Sequence, residues 1–294
     1  MLEAPLALAW QEAQRAETFL DHWGPWHGLL LILLGGALLG YCWPRYAAPA
    51  ELARDDLERP LGSWGAREVF ELCGAALALL IFIGWQFGEL IEAGGGQALL
   101  LNAIWMLITC AIAAGLAWQS DRGLGLRALG IQLGRLLDPE DTLQLVLKRI
   151  LLGLMSYALM LPLLLGIYLA WPVLATWFGI EVQDQEVLTD ILRSSGGSLV
   201  MGVLIAGVLG PLLEEWLFRG FLQPVLVRSL GALGGIGATS LLFALMHGAV
   251  VFLPIFSLSM LLGWVQLRTR CLWASWAVHA LHNSLVLSLY LLAE

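Results

Sequence analysis

The chain has 294 residues, 59% of them hydrophobic and 13% charged, whereas soluble domains carry about 25% charged residues. That balance excludes an ordinary soluble domain and points to an all-α, polytopic membrane protein. A net charge of −8 argues against a nucleic-acid partner.

The first 24 residues lack a basic start followed by an apolar run, so they read as a short amphipathic arm and not as a signal peptide. A transmembrane helix needs about 20 mostly apolar residues. By that measure the sequence predicts eight spans, near 26–43, 69–88, 98–118, 150–172, 198–218, 236–253, 254–267 and 272–292. Only Pro254 separates the sixth from the seventh, which predicts a tight turn there and leaves the seventh short for a full crossing. Residues 124–137, with Leu126, Leu129, Leu133, Leu136 and Leu137 beside Arg127 and Arg135, predict a helix lying on the membrane surface. Asp138-Pro139-Glu140-Asp141 reads as the start of a helix that runs into the fourth span. The acids of 181–190 read as a solvated face. Residues 1–149 form an N-terminal set of spans and loops, and 150–294 form the core.

Thirteen of the fifteen Lys and Arg residues fall in alternate connections. These are 44–67, 119–149, the turn holding Arg219 and Arg228, and the turn holding Arg268 and Arg270. Cationic loops mark the cytoplasmic side. The bundle of about eight helices is therefore expected to have both termini outside and Glu214-Glu215 near the cytoplasmic face. Tryptophans near the span ends, Trp273 and Trp276 among them, suit interfacial anchoring. Cys42, Cys73, Cys110 and Cys271 have no CxxC spacing and read as inert buried thiols.

Few strongly polar groups interrupt the spans of the last hundred residues: Glu214, Glu215, Arg219, His247, His279, His282 and Asn283. Charge inside a membrane segment is costly and usually functional. Glu215 and Arg219 are four apart and can pair on one face. Glu214 is turned about 100° away. His279 and Asn283 share a face at the same spacing, as do Phe243 and His247. Counted at 1.5 Å per residue from about Ser240 and Leu272, His247 and His279 each lie roughly 10 Å along their spans. Glu214, His247, His279 and Asn283 are thus expected to meet at one level. Each signal has a plainer reading. The acids could end a helix among headgroups, and the histidines and Asn283 could serve as interhelical hydrogen-bond glue. Pro211, three residues before Glu214, is expected to disturb the helix.

Glu214-Glu215-x-x-Phe218-Arg219, Phe243-x-x-x-His247 and His279-x-x-x-Asn283, in that order on separate spans, resemble the three motifs of the CAAX protease and bacteriocin-processing (CPBP, or Abi) family. The resemblance covers roughly 197–291. It implies an intramembrane endopeptidase that hydrolyses a membrane-associated peptide or protein near the cytoplasmic leaflet. In that reading Glu214 activates water and His247 helps protonate the leaving amine. Glu215 pairs with Arg219, and His279 and Asn283 stabilise the oxyanion. No cofactor is expected. Zinc on Glu214, His247 and His279 is the alternative, although the one-helix HExxH pattern is missing. A proton-coupled transporter and a non-catalytic immunity or scaffold protein are the other functional readings. Abundant Ala, Leu, Gly and Trp with a single Lys suggest a GC-rich bacterial genome and hence the inner membrane.

Overall fold

The structure, a computed structural model, describes residues 27–38, 64–92, 95–120, 143–180, 191 and 196–293. Among the described residues there is helix and no strand. The amphipathic arm, the helix expected over 124–137, the Asp138–Asp141 cap and the acidic loop 181–190 lie outside them.

Helix α1, His27–Leu38, is apolar and short. Helix α2, Ala66–Glu92, places Glu68 at its positive end. There Glu68 Oε2 accepts the Gly65 N–H at 2.8 Å, and Oε1 accepts the Ser120 hydroxyl at 3.0 Å. That ties α2 to the end of α3, Gly95–Ser120. Non-helical angles at Phe87 kink α2 near its far end. Helix α4, Leu143–Trp177, has 35 residues, about 52 Å at 1.5 Å each. It outruns a hydrocarbon core of about 30 Å.

Helix α5, Gly196–Leu204, widens into a π turn over Ile205–Leu209. One α-helical segment follows, α6, Gly210–Glu215, and then a second π turn, Trp216–Leu222. Helix α7, Gln223–Met246, is two segments joined at Gly231. Its φ of 74° suits glycine, which has no Cβ to clash. The fifth span therefore runs on past the expected end at 218, and Arg219 and Arg228 are helical rather than loop residues.

The sixth and seventh spans also differ from expectation. The chain turns at His247-Gly248, where Gly248 has φ 87°, and not at Pro254. A 3-10 turn, Ala249–Val251, leads into α8, Phe252–Thr269. Pro254 sits in the first turn of α8, where a missing N–H costs little because those donors have no intrahelical acceptor. The stretch Ala249–Thr269, 21 residues, is long enough to cross. Helix α9, Leu272–Ala293, ends the described chain.

Five stretches among the described residues are long and apolar enough to span a membrane: Ala66–Ile91, Leu100–Ser120, Leu143–Trp177, Gly196–Met246 and Ala249–Thr269. The protein is a polytopic helical membrane protein. Helix α9 has the length but is diluted by its serines, histidines and Asn283.

The described residues fall into two compact units that interleave along the chain. One takes those within Met1–Ala50, Ala158–Gln183 and Ala244–Leu258. In it α1 lies against the second half of α4 with almost no gap. A Cβ on Gly166 would stand 2.7 Å from the Gly28 carbonyl, and one on Gly35 2.7 Å from the Leu163 nitrogen. Small residues let membrane helices approach this closely. Gly166→Leu is expected to part them at a cost of about 1–3 kcal/mol. A fall in the thermal midpoint of the purified protein would register it, and an unchanged midpoint would refute the packing. Trp171 Nε1 donates to the Val250 carbonyl at 2.6 Å in the same unit.

The other unit takes the described residues within Glu51–Tyr157, Asp184–Phe243 and Ser259–Glu294. Its core is built around Trp64, Ala113, Ala117, Phe221 and Val225. Trp64 stacks on Phe221 at 5.5 Å and donates its indole N–H to the Phe221 carbonyl at 2.8 Å. Arg228 donates to the Trp64 carbonyl. A second cluster packs Met106 and Cys110 of α3 against Leu213. These contacts hold the helix bearing the two glutamates from one side.

Candidate active site

The carboxylates of Glu214 and Glu215 close α6, and their environments diverge at once. Glu215 has no exposed surface, while the Glu214 side chain keeps 21% of its own. The difference follows from helical geometry, since successive residues point about 100° apart. Glu215 Oε1 lies 3.1 Å from Arg219 Nη1 and 3.0 Å from His279 Nδ1. The i, i+4 pair read from spacing is present, and His279 of α9 joins it.

A carboxylate oxygen accepts, so the hydrogen in the His279–Glu215 bond sits on Nδ1. That leaves Nε2 facing outward, 3.6 Å from Glu214 Oε2, beyond direct hydrogen-bond length. His279 thus stands between the two acids, held by one and presented to the other. A ring held by a carboxylate at Nδ1 is fixed in tautomer and orientation.

Arg219 is buried, and of its nitrogens Nη2 carries the hydrogen bonds. Nη2 donates to the Ser259 hydroxyl at 2.8 Å and to its carbonyl at 3.4 Å. The Phe243 ring covers the guanidinium at 4.7 Å, a cation–π contact. Phe243 also meets His279 edge-on at 5.8 Å and Phe218 at 4.9 Å. One turn beyond Arg219, Gln223 Nε2 donates to the Gly263 carbonyl at 2.9 Å. A Cβ on Gly263 would come within 2.8 Å of Gln223 Oε1 and 3.0 Å of Ile236 Cγ2, so the glycine gives these side chains room. Arg219 and Gln223 therefore grip Ser259 and Gly263 of α8 at matching four-residue steps.

Glu214, Glu215, Arg219 and His279 are brought together, with Phe243 over them. Asn283 is one turn further along α9 and donates Nδ2 to the Ala206 carbonyl at 3.0 Å. His282 turns to the Tyr157 hydroxyl, 3.1 Å from its Nδ1. Of the two neighbouring histidines, His279 is the one in the carboxylate cluster. His247 is in the other compact unit. It follows the last residue of α7, half-buried, with its N–H donating to the Ala244 carbonyl at 3.1 Å. It lies at the helix end rather than within a span because the helical segment after Gly231 starts well before Ser240 and stops at Met246. Ser259, Gln223 and Gly263 stand in no motif of the sequence. Only Gln223 carried a signal, its place four residues beyond Arg219.

Residues 196–285 match the family model for Type II CAAX prenyl endopeptidase, Rce1-like. Over that segment the chain is similar to the CAAX protease family. No curated protein and no solved structure matches the chain. The matched segment contains all three motifs and lies within the 150–294 portion. It supports a CAAX-type intramembrane endopeptidase in general terms, acting on a membrane-associated protein or peptide.

No group of three or more His, Cys, Asp and Glu among the described residues could hold a metal ion. One oxygen of Glu215 is shared by Arg219 and His279, and Nδ1 of His279 is taken. That leaves Glu214 Oε2 and His279 Nε2, 3.6 Å apart, as the outward-facing donors of the cluster.

Proposed function

We propose that the protein is a glutamate-dependent intramembrane protease in which Glu214 is the general base. The asymmetry between the adjacent acids carries this reading. Glu215 is spent on Arg219 and His279, whereas Glu214 is partly exposed and faces His279 Nε2 across a gap wider than a direct bond. Water deprotonated by Glu214 attacks the scissile carbonyl. Asn283 and, in its doubly protonated form, His279 lie on one face of α9 to meet the negative oxygen that develops. An amide nitrogen carries two hydrogens, so Asn283 can hold Ala206 with one and offer the other. His247 is assigned to protonation of the leaving amine by its motif alone. The reaction is metal-free. The substrate is a membrane-embedded or membrane-associated chain, and the protein resides in the inner membrane of a bacterium.

The test compares membrane fractions of cells expressing the wild-type chain or Glu214→Ala by mass spectrometry of new peptide termini. Products present only with the wild type are expected. They should persist when the purified protein is assayed in a zinc chelator. Identical products from both chains would refute Glu214 as base. Loss on chelation with recovery on added zinc would refute the metal-free mechanism.

A further inference from the structure

Each of the two π turns ends two residues before a proline: the first is followed by Gly210-Pro211 and the second by Gln223-Pro224. At the first, the Gly210 N–H reaches back five residues to the Ile205 carbonyl. In an α-helix it would have served Ala206. The five-residue donor for Ala206 would be Pro211, which has no N–H. The Ala206 carbonyl is therefore deprived of both backbone donors inside a membrane-spanning segment, where water does not replace them.

Helix α9 supplies what is missing at Ala206 and adds a second bond two residues on. Asn283 donates to the Ala206 carbonyl at 3.0 Å, and Trp276 Nε1 donates to the Val208 carbonyl at 3.1 Å. Trp276, His279 and Asn283 are spaced by three and four, so they lie on one face, with His279 in the middle. Its neighbour Trp273 packs edge-on against Trp276 at 5.6 Å, yet the Trp273 indole N–H has no acceptor among the described residues. One tryptophan of the pair is thus bonded to the widened turn and the other is not. Interfacial anchoring, which would suit both equally, does not account for that difference.

Resting on the reading of Glu214 as base, we infer that Trp276 is a positioning residue. Together with Asn283 it holds the wide turn at Pro211 in the register that presents Glu214 and Glu215 to His279. It touches neither the substrate nor the reacting atoms. Its effect passes through the carbonyl of Val208 to the carboxylates six and seven residues later. The donor is the indole N–H, so Trp276→Phe removes the bond and keeps most of the ring.

The experiment uses the full chain in detergent micelles, as wild type, Trp276→Phe and Trp273→Phe. Hydrogen exchange over 205–215 reports local opening of that helix. The nitrogen-15 resonances of labelled histidines report the His279–Glu215 bond. Trp276→Phe is expected to raise exchange over 205–215 at least about threefold and to move the His279 ring resonances. Trp273→Phe should match wild type in both. If Trp276→Phe exchanges like Trp273→Phe, or leaves the His279 resonances in place, the positioning role is overturned. Both readouts are independent of substrate. A wild-type chain that makes no cleavage product while Trp276→Phe still shows both effects would sink the protease reading and uphold this one.

Discussion

Glu214→Gln is expected to lower the rate of peptide cleavage by roughly 10²–10⁴-fold, the usual contribution of a positioned general base. The protein should remain folded. The Glu214 side chain is partly exposed, and its neighbour His279 already has Glu215 as acceptor. Removing the Glu214 charge therefore strands no buried partner. Single-turnover cleavage of a membrane peptide identified as a product of the wild type, paired with a thermal melt, separates the two effects. A variant that melts as the wild type does and cuts at the wild-type rate would remove Glu214 from the chemistry.

Glu215→Ala should act through stability instead. Glu215 and Arg219 are a fully buried pair, and Glu215 also accepts from His279. Deleting one member of a buried pair leaves an uncompensated charge and costs about 3–5 kcal/mol. That is a large part of the 5–15 kcal/mol typical of folded proteins. Loss of the monodisperse folded species on size exclusion, or a sharply lowered melting point, is the expected result. Arg219→Ala should do similar damage, since it strands Glu215 and the Ser259 acceptors. The double variant Glu215→Ala/Arg219→Ala should be less damaged than the sum of the singles, because it leaves no lone charge. Full additivity would show that the pair is not coupled as its geometry requires.

The chemistry-bearing residues were legible because their spacing is short and helical. Four residues separate Glu215 from Arg219, and the same step separates His279 from Asn283. What spacing could not convey was helix rotation. His282 and His279 are both in α9, and only the partners Tyr157 and Glu215 tell them apart. The turn before α8 was misplaced because proline has two opposite uses. It breaks a helix interior but suits a first turn, and the decisive residue was Gly248 with its positive φ. The π turns left no periodic trace, since one widened turn shifts the apolar pattern by a single residue. Ser259 and Gln266 looked like ordinary polar residues of an apolar helix. Both accept, from Arg219 forty positions before Ser259 and from Ser275 nine positions after Gln266.

The buried Arg219 also bears on the order of biogenesis. Its strongest partner, Glu215, is in the same helix, while Ser259 follows forty residues later and His279 is sixty-four beyond Glu215. When this segment leaves the ribosome and partitions into the bilayer, neither later partner has been made. The segment must carry its own counter-ion, and a pair one helical turn apart forms without waiting for tertiary structure. The sequence Glu215-x-x-x-Arg219 therefore serves insertion first. The same carboxylate becomes the anchor for the last helix only when translation reaches it.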